Sequence, residues 1–214
     1  MTSPQQQFVD LALEMGALKF GEFTLKSGRV SPYFFNAGML ATGRAAALLG
    51  RAYAAAIAEH HPDVDVVFGP AYKGIPLAAL TAAALAEHHD IDVPYAFDRK
   101  EAKDHGEGGL IVGGPLAGKI VIVDDVMTAG TAIRHSIETI RAANAQAVGI
   151  VISLDRQERG LGDLSAVQEV EQDMAIRVSA IATLDDLVTH LQSEGAENGY
   201  LKEVLAYRNK YGTS

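Results

Sequence analysis

The chain has 214 residues with ordinary shares of hydrophobic residues, 48%, and charged residues, 21%, which suits one α/β domain with its own core. It contains no cysteine, and this excludes a disulfide scaffold, a thiolate zinc site and a cysteine nucleophile. Its formal net charge of −9 argues against a nucleic-acid partner, which needs a basic face for phosphate contacts. No segment has the pattern of a signal peptide or a membrane span, so we expect a cytoplasmic protein without a membrane partner.

The first part of the chain predicts a helix, a hairpin and a second helix. Ser3-Pro4 is typical of a helix start, and apolar residues then follow on one helical face. Ser27-Gly28 lies between two short strand-like segments, 22–26 and 31–36, which together predict a hairpin. Thr42 is expected to cap a long alanine-rich helix.

From residue 64 onward, apolar β-branched strands alternate with helices. Strands are expected at 64–68, 93–97, 120–123, 148–154 and 176–181. The polar, glycine-rich segment 98–115 is interpreted as a long loop. This order predicts an α/β fold, with a mostly parallel central sheet flanked by helices. We expect a single domain over 1–214, in which roughly 1–40 form a small N-terminal hood with the hairpin.

The residues around the third of these strands carry the clearest functional pattern. Residues 119–131 are Lys-Ile-Val-Ile-Val-Asp-Asp-Val-Met-Thr-Ala-Gly-Thr, which predicts a buried strand, two acids, a loop of small residues and a helix start. Asp124 and Asp125 can accept hydrogen bonds from two adjacent sugar hydroxyls, and backbone N–H groups of 128–131 can bind a phosphate at the helix N-terminus. Gly130 lets the backbone approach a ligand closely. The alternative is an ordinary strand–loop–helix junction whose acids cap the helix.

This segment resembles the signature with which type I phosphoribosyltransferases bind phosphoribosyl pyrophosphate (PRPP), and four further segments resemble the orotate branch of that family. The resemblance implies an enzyme of de novo pyrimidine (UMP) biosynthesis. Such an enzyme transfers the 5-phosphoribosyl group from PRPP to orotate, giving orotidine 5′-monophosphate and pyrophosphate. It also implies the type I phosphoribosyltransferase fold, Mg²⁺ held mainly through PRPP with no protein metal ligand, and a homodimer.

The four segments carry polar or aromatic residues at predicted turns and strand ends. They are the hairpin 25–36, the turn 69–76, the basic stretch 98–109 and the strand end 153–160. In the last of these, Arg156 can pair with a planar carboxylate such as that of orotate through two parallel hydrogen bonds. Taken singly, each segment has an ordinary alternative: a hairpin with core aromatics, a strand-to-helix turn, a solvated charged loop or a surface arginine.

The resemblance assigns roles to individual positions. The residues implied to bind PRPP are Lys26, Tyr72, Lys73, Arg99, Lys100, Lys103, His105, Asp124, Asp125, Val126, Met127, Thr128, Ala129, Gly130, Thr131 and Ala132. Those implied to contact orotate are Phe34, Phe35, Thr128 and Arg156. Catalytic roles are implied for Lys103, His105, Asp124 and Asp125, with Lys103 the most closely tied to catalysis. Roughly 98–115 would be a flexible catalytic loop that is shared between the subunits of the dimer.

Two other functions fit part of these patterns. One is a phosphoribosyltransferase for a purine or another pyrimidine, against which the hairpin pair Phe34-Phe35 and Arg156 argue. The other is a regulator with the same fold that binds RNA or DNA, against which two features argue: the acidic charge balance, and the intact lysine and histidine residues of the lid segment 98–109, which suit an enzyme. A panel of bases with PRPP separates the first alternative, and a salt-dependent nucleic-acid binding test separates the second.

Overall fold

The computed structural model describes residues 3–25, 27–103, 109–127, 130–160, 162–193 and 199–213, and within these ranges it leaves the side chains of 100–103 and 109 undescribed. The helices are α1 (Pro4–Glu14), α2 (Gly43–His60), α3 (Gly74–His89), α4 (Thr131–Ala142), α5 (Ala166–Met174), α6 (Leu184–Ser193) and α7 (Gly199–Tyr211). The strands are β1 (Leu18–Thr24), β2 (Val30–Phe35), β3 (Val66–Gly69), β4 (Tyr95–Lys103), β5 (Gly109–Gly113), β6 (Lys119–Asp124), β7 (Gln146–Asp155) and β8 (Arg177–Thr183). Over these ranges, none of the helices has both the length and the apolar character that a membrane crossing requires.

A six-stranded sheet in the order β5-β4-β3-β6-β7-β8 forms the centre of the fold. Every neighbouring pair in it is parallel except β4 and β5. The strands β1 and β2 form a separate antiparallel hairpin. The expected fold, a mostly parallel sheet flanked by helices with a small N-terminal hairpin, is confirmed.

The strands are apolar on both faces because helices cover both faces of the sheet. Successive side chains of a strand point to opposite sides, so Val121 packs in the cluster that contains α2 and α3, whereas Ile120 and Ile122 pack in the cluster that contains α4 and α5. The runs of valine and isoleucine in β3, β6 and β7 therefore follow from burial on both sides.

The strand order places a crevice between β3 and β6. The chain leaves β3 through α3 and adds β4 on one side, and it later returns to place β6 on the other side of β3. The connections that follow β3 and β6 thus run to opposite sides. This leaves a gap between the carboxyl ends of the two strands, where α/β proteins bind ligands. The segments after these two strands, 70–73 and 125–130, are the ones in which the sequence predicts PRPP contacts.

The interpretation of 98–115 as a loop was wrong in its extent. β4 continues to Lys103 and pairs with β5, with Phe97 opposite Val112 and Lys103 opposite Gly109. β3 pairs with β4 only as far as Phe97, so beyond that point β5 supplies the pairing for the polar half of β4. The short apolar run 110–112 was the sequence signal for β5, and residues 104–108 lie outside the described residues.

Aromatic contacts attach the hairpin to the helices. Phe35 of β2 lies 6.1 Å from Phe8 of α1, centroid to centroid. Tyr33 meets Tyr207 of α7 edge to face at 6.2 Å, and Phe20 of β1 stacks on a second tyrosine of α7 at 5.1 Å. These contacts with α1 and α7 fix the position of the hairpin relative to the helices.

The end of β3 and the start of α3 are in backbone contact, which gives a test of the crevice geometry. A Cβ atom at Gly69 would lie 2.0 Å from the carbonyl oxygen of Gly74. Gly69→Ala is therefore expected to lower the free energy of unfolding by about 1–3 kcal/mol, measured by urea titration. Gly43→Ala is the matched control, because a Cβ there meets nothing within 4 Å and the change should stay below about 1 kcal/mol. Equal stability of the two variants would contradict the close contact.

Candidate active site

Two adjacent aspartates end the central strand β6. Asp124 is its last residue and is half-buried, and the following Asp125 is buried with 6% of its surface exposed. The Asp125 amide donates to Asp124 Oδ1 at 2.9 Å. The Asp125 carbonyl accepts from the Ser153 amide of β7 at 2.8 Å. The turn that carries both carboxylates is thus fixed to the neighbouring strand.

A buried tyrosine supports this turn from below. The Tyr53 hydroxyl of α2 donates to the Asp124 carbonyl oxygen at 2.7 Å and bonds to Ser153 Oγ, also at 2.7 Å. Burial raises the pKa of Tyr53 well above its ordinary value, so the hydroxyl keeps its proton. Our sequence analysis missed Tyr53, although it is the one aromatic residue in the alanine-rich stretch 43–60.

A lysine from the other side of the crevice pairs with the second aspartate. Lys73, which immediately precedes α3, places Nζ in direct contact with Asp125 Oδ2. The lysine side chain is 56% exposed and the aspartate side chain 8%. The loop before Lys73 is also held, since the Ala71 amide donates to Asp98 Oδ1 of β4 at 2.6 Å. The ends of β3, β4 and β6 thus meet at one site, as the sequence predicts for Lys73, Asp124 and Asp125.

Burial changes the proton affinity of the first aspartate. It raises the pKa of Asp124 from 3.8 to about 6, and the hydrogen bond from the Asp125 amide opposes this rise. The charge of Asp125 adds to the rise, whereas the Lys73 ammonium reduces it. A carboxyl group of this kind exchanges its proton close to neutral pH.

A cavity of about 240 Å³ lies between Asp124 and the start of α4. Its described lining residues are Asp124, Val126, Met127, Gly130, Thr131, Ala132 and Ile133. Gly130 precedes α4 with φ of 67°, in the left-handed region that favours glycine, and a Cβ there would lie 2.8 Å from Val170 Cγ2. The unpaired N–H groups of a helix N-terminus favour an anion at this place. The structure therefore brings the described part of the predicted phosphate loop together with Asp124.

Arg156 lies at the end of β7 and is held by the hairpin and by its own loop. Its Nε donates to Glu158 Oε1 at 2.7 Å, and Nη2 lies 2.6 Å from the same oxygen. Nη2 also donates to Ser31 Oγ at 3.0 Å, and the guanidinium carbon lies 4.2 Å from the ring centroid of Tyr33. Sequence analysis singled out Arg156 but missed Glu158, Ser31 and Tyr33. The signal available for Glu158 was its spacing of two residues from Arg156 in the sequence.

The two phenylalanines of the hairpin point in opposite directions because they are neighbours in a strand. Phe34 is 41% exposed, with its ring 5.5 Å from that of Phe23. Phe35 is 7% exposed and packs on Phe8 in the core. Of the pair, Phe34 is thus the one with a ring accessible to a flat ligand. The contact of Phe35 with orotate stays a prediction, although the Phe35 ring itself lies in the core.

The other predicted site residues are described only in part. Tyr72 is 66% exposed beside Lys73, and Arg99 is half-buried in β4. Lys100 and Lys103 lie in β4, and their side chains are not described. The predicted residues outside the described ranges are Lys26, His105, Thr128 and Ala129. Within the described ranges, no group of three or more histidine, aspartate or glutamate side chains is arranged to hold a metal ion.

Comparison with known proteins agrees with the geometry. Residues 36–181 match the family described as "Phosphoribosyl transferase domain". The fold and the acidic strand end with its phosphate loop thus define a type I phosphoribosyltransferase.

Named relatives indicate which branch of the phosphoribosyltransferases the chain resembles. The chain is 59% identical to the orotate phosphoribosyltransferase of Proteus mirabilis (strain HI4320) over 99% of both chains. It is 61% identical to that of Cronobacter sakazakii (strain ATCC BAA-894) over 97% of this chain and 98% of the relative. The crystal structure of orotate phosphoribosyltransferase from Francisella tularensis superposes with a TM-score of 0.87 at 44% identity, covering 97% of this chain and 100% of that one. The chain belongs to the orotate phosphoribosyltransferase family.

The raised pKa of Asp124 predicts a pH dependence of stability. Between the ordinary pKa of 3.8 and about 6, the folded state holds more protons at this carboxyl than the unfolded state does, so its contribution to stability is full below about pH 4 and is lost as the pH rises through about 6. Asp124→Asn removes this loss. The variant should therefore gain stability relative to the original chain as the pH rises, by at most about 3 kcal/mol. Urea unfolding of both proteins across this range measures the difference, and parallel pH profiles would contradict the shift.

Proposed function

We propose that this enzyme transfers the 5-phosphoribosyl group from PRPP to orotate at the crevice between β3 and β6, forming orotidine 5′-monophosphate and pyrophosphate for pyrimidine biosynthesis. The single observation that carries this proposal is the cavity that Asp124 shares with the α4 N-terminus, next to the ion pair of Asp125 with Lys73. The membership of the chain in the orotate phosphoribosyltransferase family supports it.

The ribose 5-phosphate unit fits the end of β6. The carboxylates of Asp124 and Asp125 accept hydrogen bonds from the two adjacent ribose hydroxyls, and the 5-phosphate occupies the cavity at the start of α4, where the helix dipole favours an anion. The contacts assigned to Thr128 and Ala129 belong to the same loop and are proposed from the family resemblance.

Positive side chains face the pyrophosphate. Lys73 is paired with Asp125, and we propose that it turns to the pyrophosphate when PRPP binds. The cations proposed to act with it, from the family resemblance, are Lys26, Arg99, Lys100, Lys103 and His105. Tyr72 is exposed next to Lys73, and its contact with PRPP is proposed from the family resemblance.

The reaction is a displacement at the anomeric carbon by a ring nitrogen of orotate. The bond to pyrophosphate breaks, the bond to nitrogen forms on the opposite face, and the β-nucleotide results. The transition state resembles an oxocarbenium ion, so positioning and charge stabilisation provide most of the rate. The half-buried carboxyl of Asp124 is placed beside the sugar ring, where its negative form stabilises developing positive charge.

We propose that Mg²⁺ is held mainly through the oxygens of PRPP. The carboxylates of Asp124 and Asp125 are hard oxygen donors of the kind that Mg²⁺ prefers, and their place at the hydroxyl edge fits such an ion. When bound, the ion supplies positive charge that offsets the charge on the departing pyrophosphate. The residues of the chain itself bind the sugar, orient the base and exclude water.

The base is read by Arg156 and the hairpin. Nε and Nη2 of Arg156 are bonded to Glu158 and Ser31, so the two parallel hydrogen bonds expected from the sequence are not available in this arrangement. We assign the substrate carboxylate to Nη1, which carries the remaining two of the five guanidinium protons. The contact of Phe34 with the pyrimidine is proposed from the family resemblance, since its half-exposed ring lies on the strand face opposite to that of Tyr33. Uracil and the purines lack the carboxylate, so this arginine separates orotate from them.

We also propose one domain over 1–214 with a hood of roughly 1–40, a cytoplasmic location, and a homodimer in which the segment between β4 and β5 closes over the partner's site. β4 and β5 pair with each other beyond the end of β3, and the residues between these two strands lie outside the described part of the chain. Sedimentation equilibrium tests the dimer. Complementation between an Asp124→Asn and a Lys103→Ala protomer tests the sharing of the segment.

The function is tested by incubating the protein with PRPP, Mg²⁺ and orotate and following the loss of orotate absorbance. Uracil and adenine in place of orotate are the controls for the alternative substrates. No loss of orotate under these conditions would refute the proposed function.

Lys103→Ala is predicted to lower kcat by a factor of about 100 or more, because its ammonium is assigned to charge that develops in the transition state. PRPP binding should weaken much less, by less than about tenfold. Steady-state kinetics and equilibrium binding of PRPP measure the two effects. Unchanged activity would remove the catalytic assignment of this lysine.

Arg156→Ala is predicted to raise the KM for orotate by roughly tenfold or more, because a charge-assisted hydrogen bond to the substrate carboxylate is lost. The KM for PRPP should change by less than about twofold. An orotate KM equal to that of the original chain would refute the role of this arginine.

A further inference from the structure

Glu158 occupies one edge of the arginine that is assigned to the substrate carboxylate. Its Oε1 accepts from Arg156 Nε at 2.7 Å and lies 2.6 Å from Nη2. Both side chains are largely buried, with 13% of Arg156 and 12% of Glu158 exposed. This ion pair is therefore shielded from water on most sides, unlike a surface pair.

The same glutamate joins the hairpin to the segment after β7. Glu158 Oε2 lies 3.7 Å from Arg29 Nη1, and its Oε1 lies 3.5 Å from the Tyr33 hydroxyl. Arg29 in turn donates to the carbonyl oxygens of Arg159 at 2.8 Å and Gly160 at 3.3 Å. Two segments that are far apart in the sequence thus meet at Glu158.

Protein groups already accept the hydrogen bonds of two of the three guanidinium nitrogens of Arg156. A guanidinium group has one proton on Nε and two on each terminal nitrogen. Glu158 takes the Nε proton and one from Nη2, and Ser31 takes the other proton of Nη2. Nη1 is thus the nitrogen without a hydrogen bond to Glu158 or Ser31, and we assign the substrate carboxylate to it. The guanidinium carbon lies 4.2 Å from the Tyr33 ring centroid, and the Tyr207 hydroxyl also interacts with this arginine.

We propose that Glu158 is a positioning residue that sets the orientation of Arg156 and so determines where the carboxylate of orotate is bound. This inference depends on the proposed function, since it assigns Arg156 to that carboxylate. A long arginine side chain has many rotamers, and fixing it before the substrate arrives reduces the entropy that binding would otherwise cost. Glu158 acts through geometry, because its oxygen holds one edge of the guanidinium and leaves the other for the ligand.

The geometric role separates two substitutions of Glu158. Glu158→Gln keeps an acceptor oxygen at the same place, so Arg156 should stay oriented and the KM for orotate should remain within about threefold of the original value. Glu158→Ala removes the acceptor, and the KM for orotate should rise roughly tenfold while the KM for PRPP changes by less than about twofold. Asp173→Asn is the matched control, because Asp173 pairs with Arg134 at 2.9 Å on the exposed surface, and neither KM should change.

A double-mutant cycle separates positioning from general loss of structure. If Glu158 acts through Arg156, Glu158→Ala should raise the orotate KM in the original chain and leave it unchanged in the Arg156→Ala background. Equal increases in both backgrounds, or an unchanged KM in the single variant, would overturn the proposal. Should Glu158→Ala fail to fold, Glu158→Asp replaces it in the same cycle, since it withdraws the carboxylate by one methylene and keeps the charge.

The proposed function and this inference fail in distinguishable ways. If the original chain does not consume orotate in the presence of PRPP and Mg²⁺, the proposed function itself is refuted. If the original chain is active and the cycle shows no coupling between Glu158 and Arg156, only the positioning role is refuted.

Discussion

An ion pair across the crevice between β3 and β6 determines how the candidate site is arranged. The carboxylate of Asp125 is buried, and an unpaired charge in that position would cost several kcal/mol. Lys73 supplies the opposite charge from the segment after the neighbouring strand. Asp124 stands beside this pair, and its burial and the nearby charge of Asp125 raise its pKa to about 6. Two acids can lie side by side at one strand end because Lys73 neutralises Asp125 and the pKa of Asp124, about 6, is close to neutral pH.

A second buried ion pair, between Arg156 and Glu158, lies at the end of β7. Arg156 is neutralised by Glu158 in the way that Asp125 is neutralised by Lys73. The lysine side chain is 56% exposed, so under the proposed function it can turn to the pyrophosphate once ribose hydroxyls bond to Asp125 in its place. The arginine side chain is 13% exposed and lies over the Tyr33 ring, so it keeps its partner and offers a fixed nitrogen. Under the proposed function, the Lys73–Asp125 pair exchanges partners when PRPP binds, whereas the Arg156–Glu158 pair stays in place and orients the base.

The sequence predicted the parts of this arrangement that depend on short segments. The apolar run of β6 followed by two acids specified both the buried strand and the residues at its end, because burial on both faces demands valine and isoleucine. The polar half of β4 was missed, since its pairing comes from β5 and leaves no apolar pattern in β4. Phe35 was assigned to the ligand with Phe34, whereas the alternation of side chains along a strand sends it to the core. The surroundings of Glu158 could not be predicted, because its contacts with the hairpin join segments that are far apart in the sequence.

The buried Tyr53 connects the two halves of the site. Its hydroxyl binds the Asp124 carbonyl at the end of β6 and Ser153 Oγ in β7, and Arg156 follows Ser153 by three positions. One buried network thus connects the strand that carries Asp124, proposed to bind the sugar, with the strand that precedes Arg156, proposed to bind the base. A displacement at carbon requires the attacking nitrogen, the anomeric carbon and the leaving oxygen to lie in line, and small misplacements of either partner are costly. Because the network is buried and polar, losing the Tyr53 hydroxyl would leave unpaired groups beneath Asp124 and next to β7. Under the proposed function, the relative position of sugar and base therefore depends on this buried tyrosine as well as on the residues that contact the substrates.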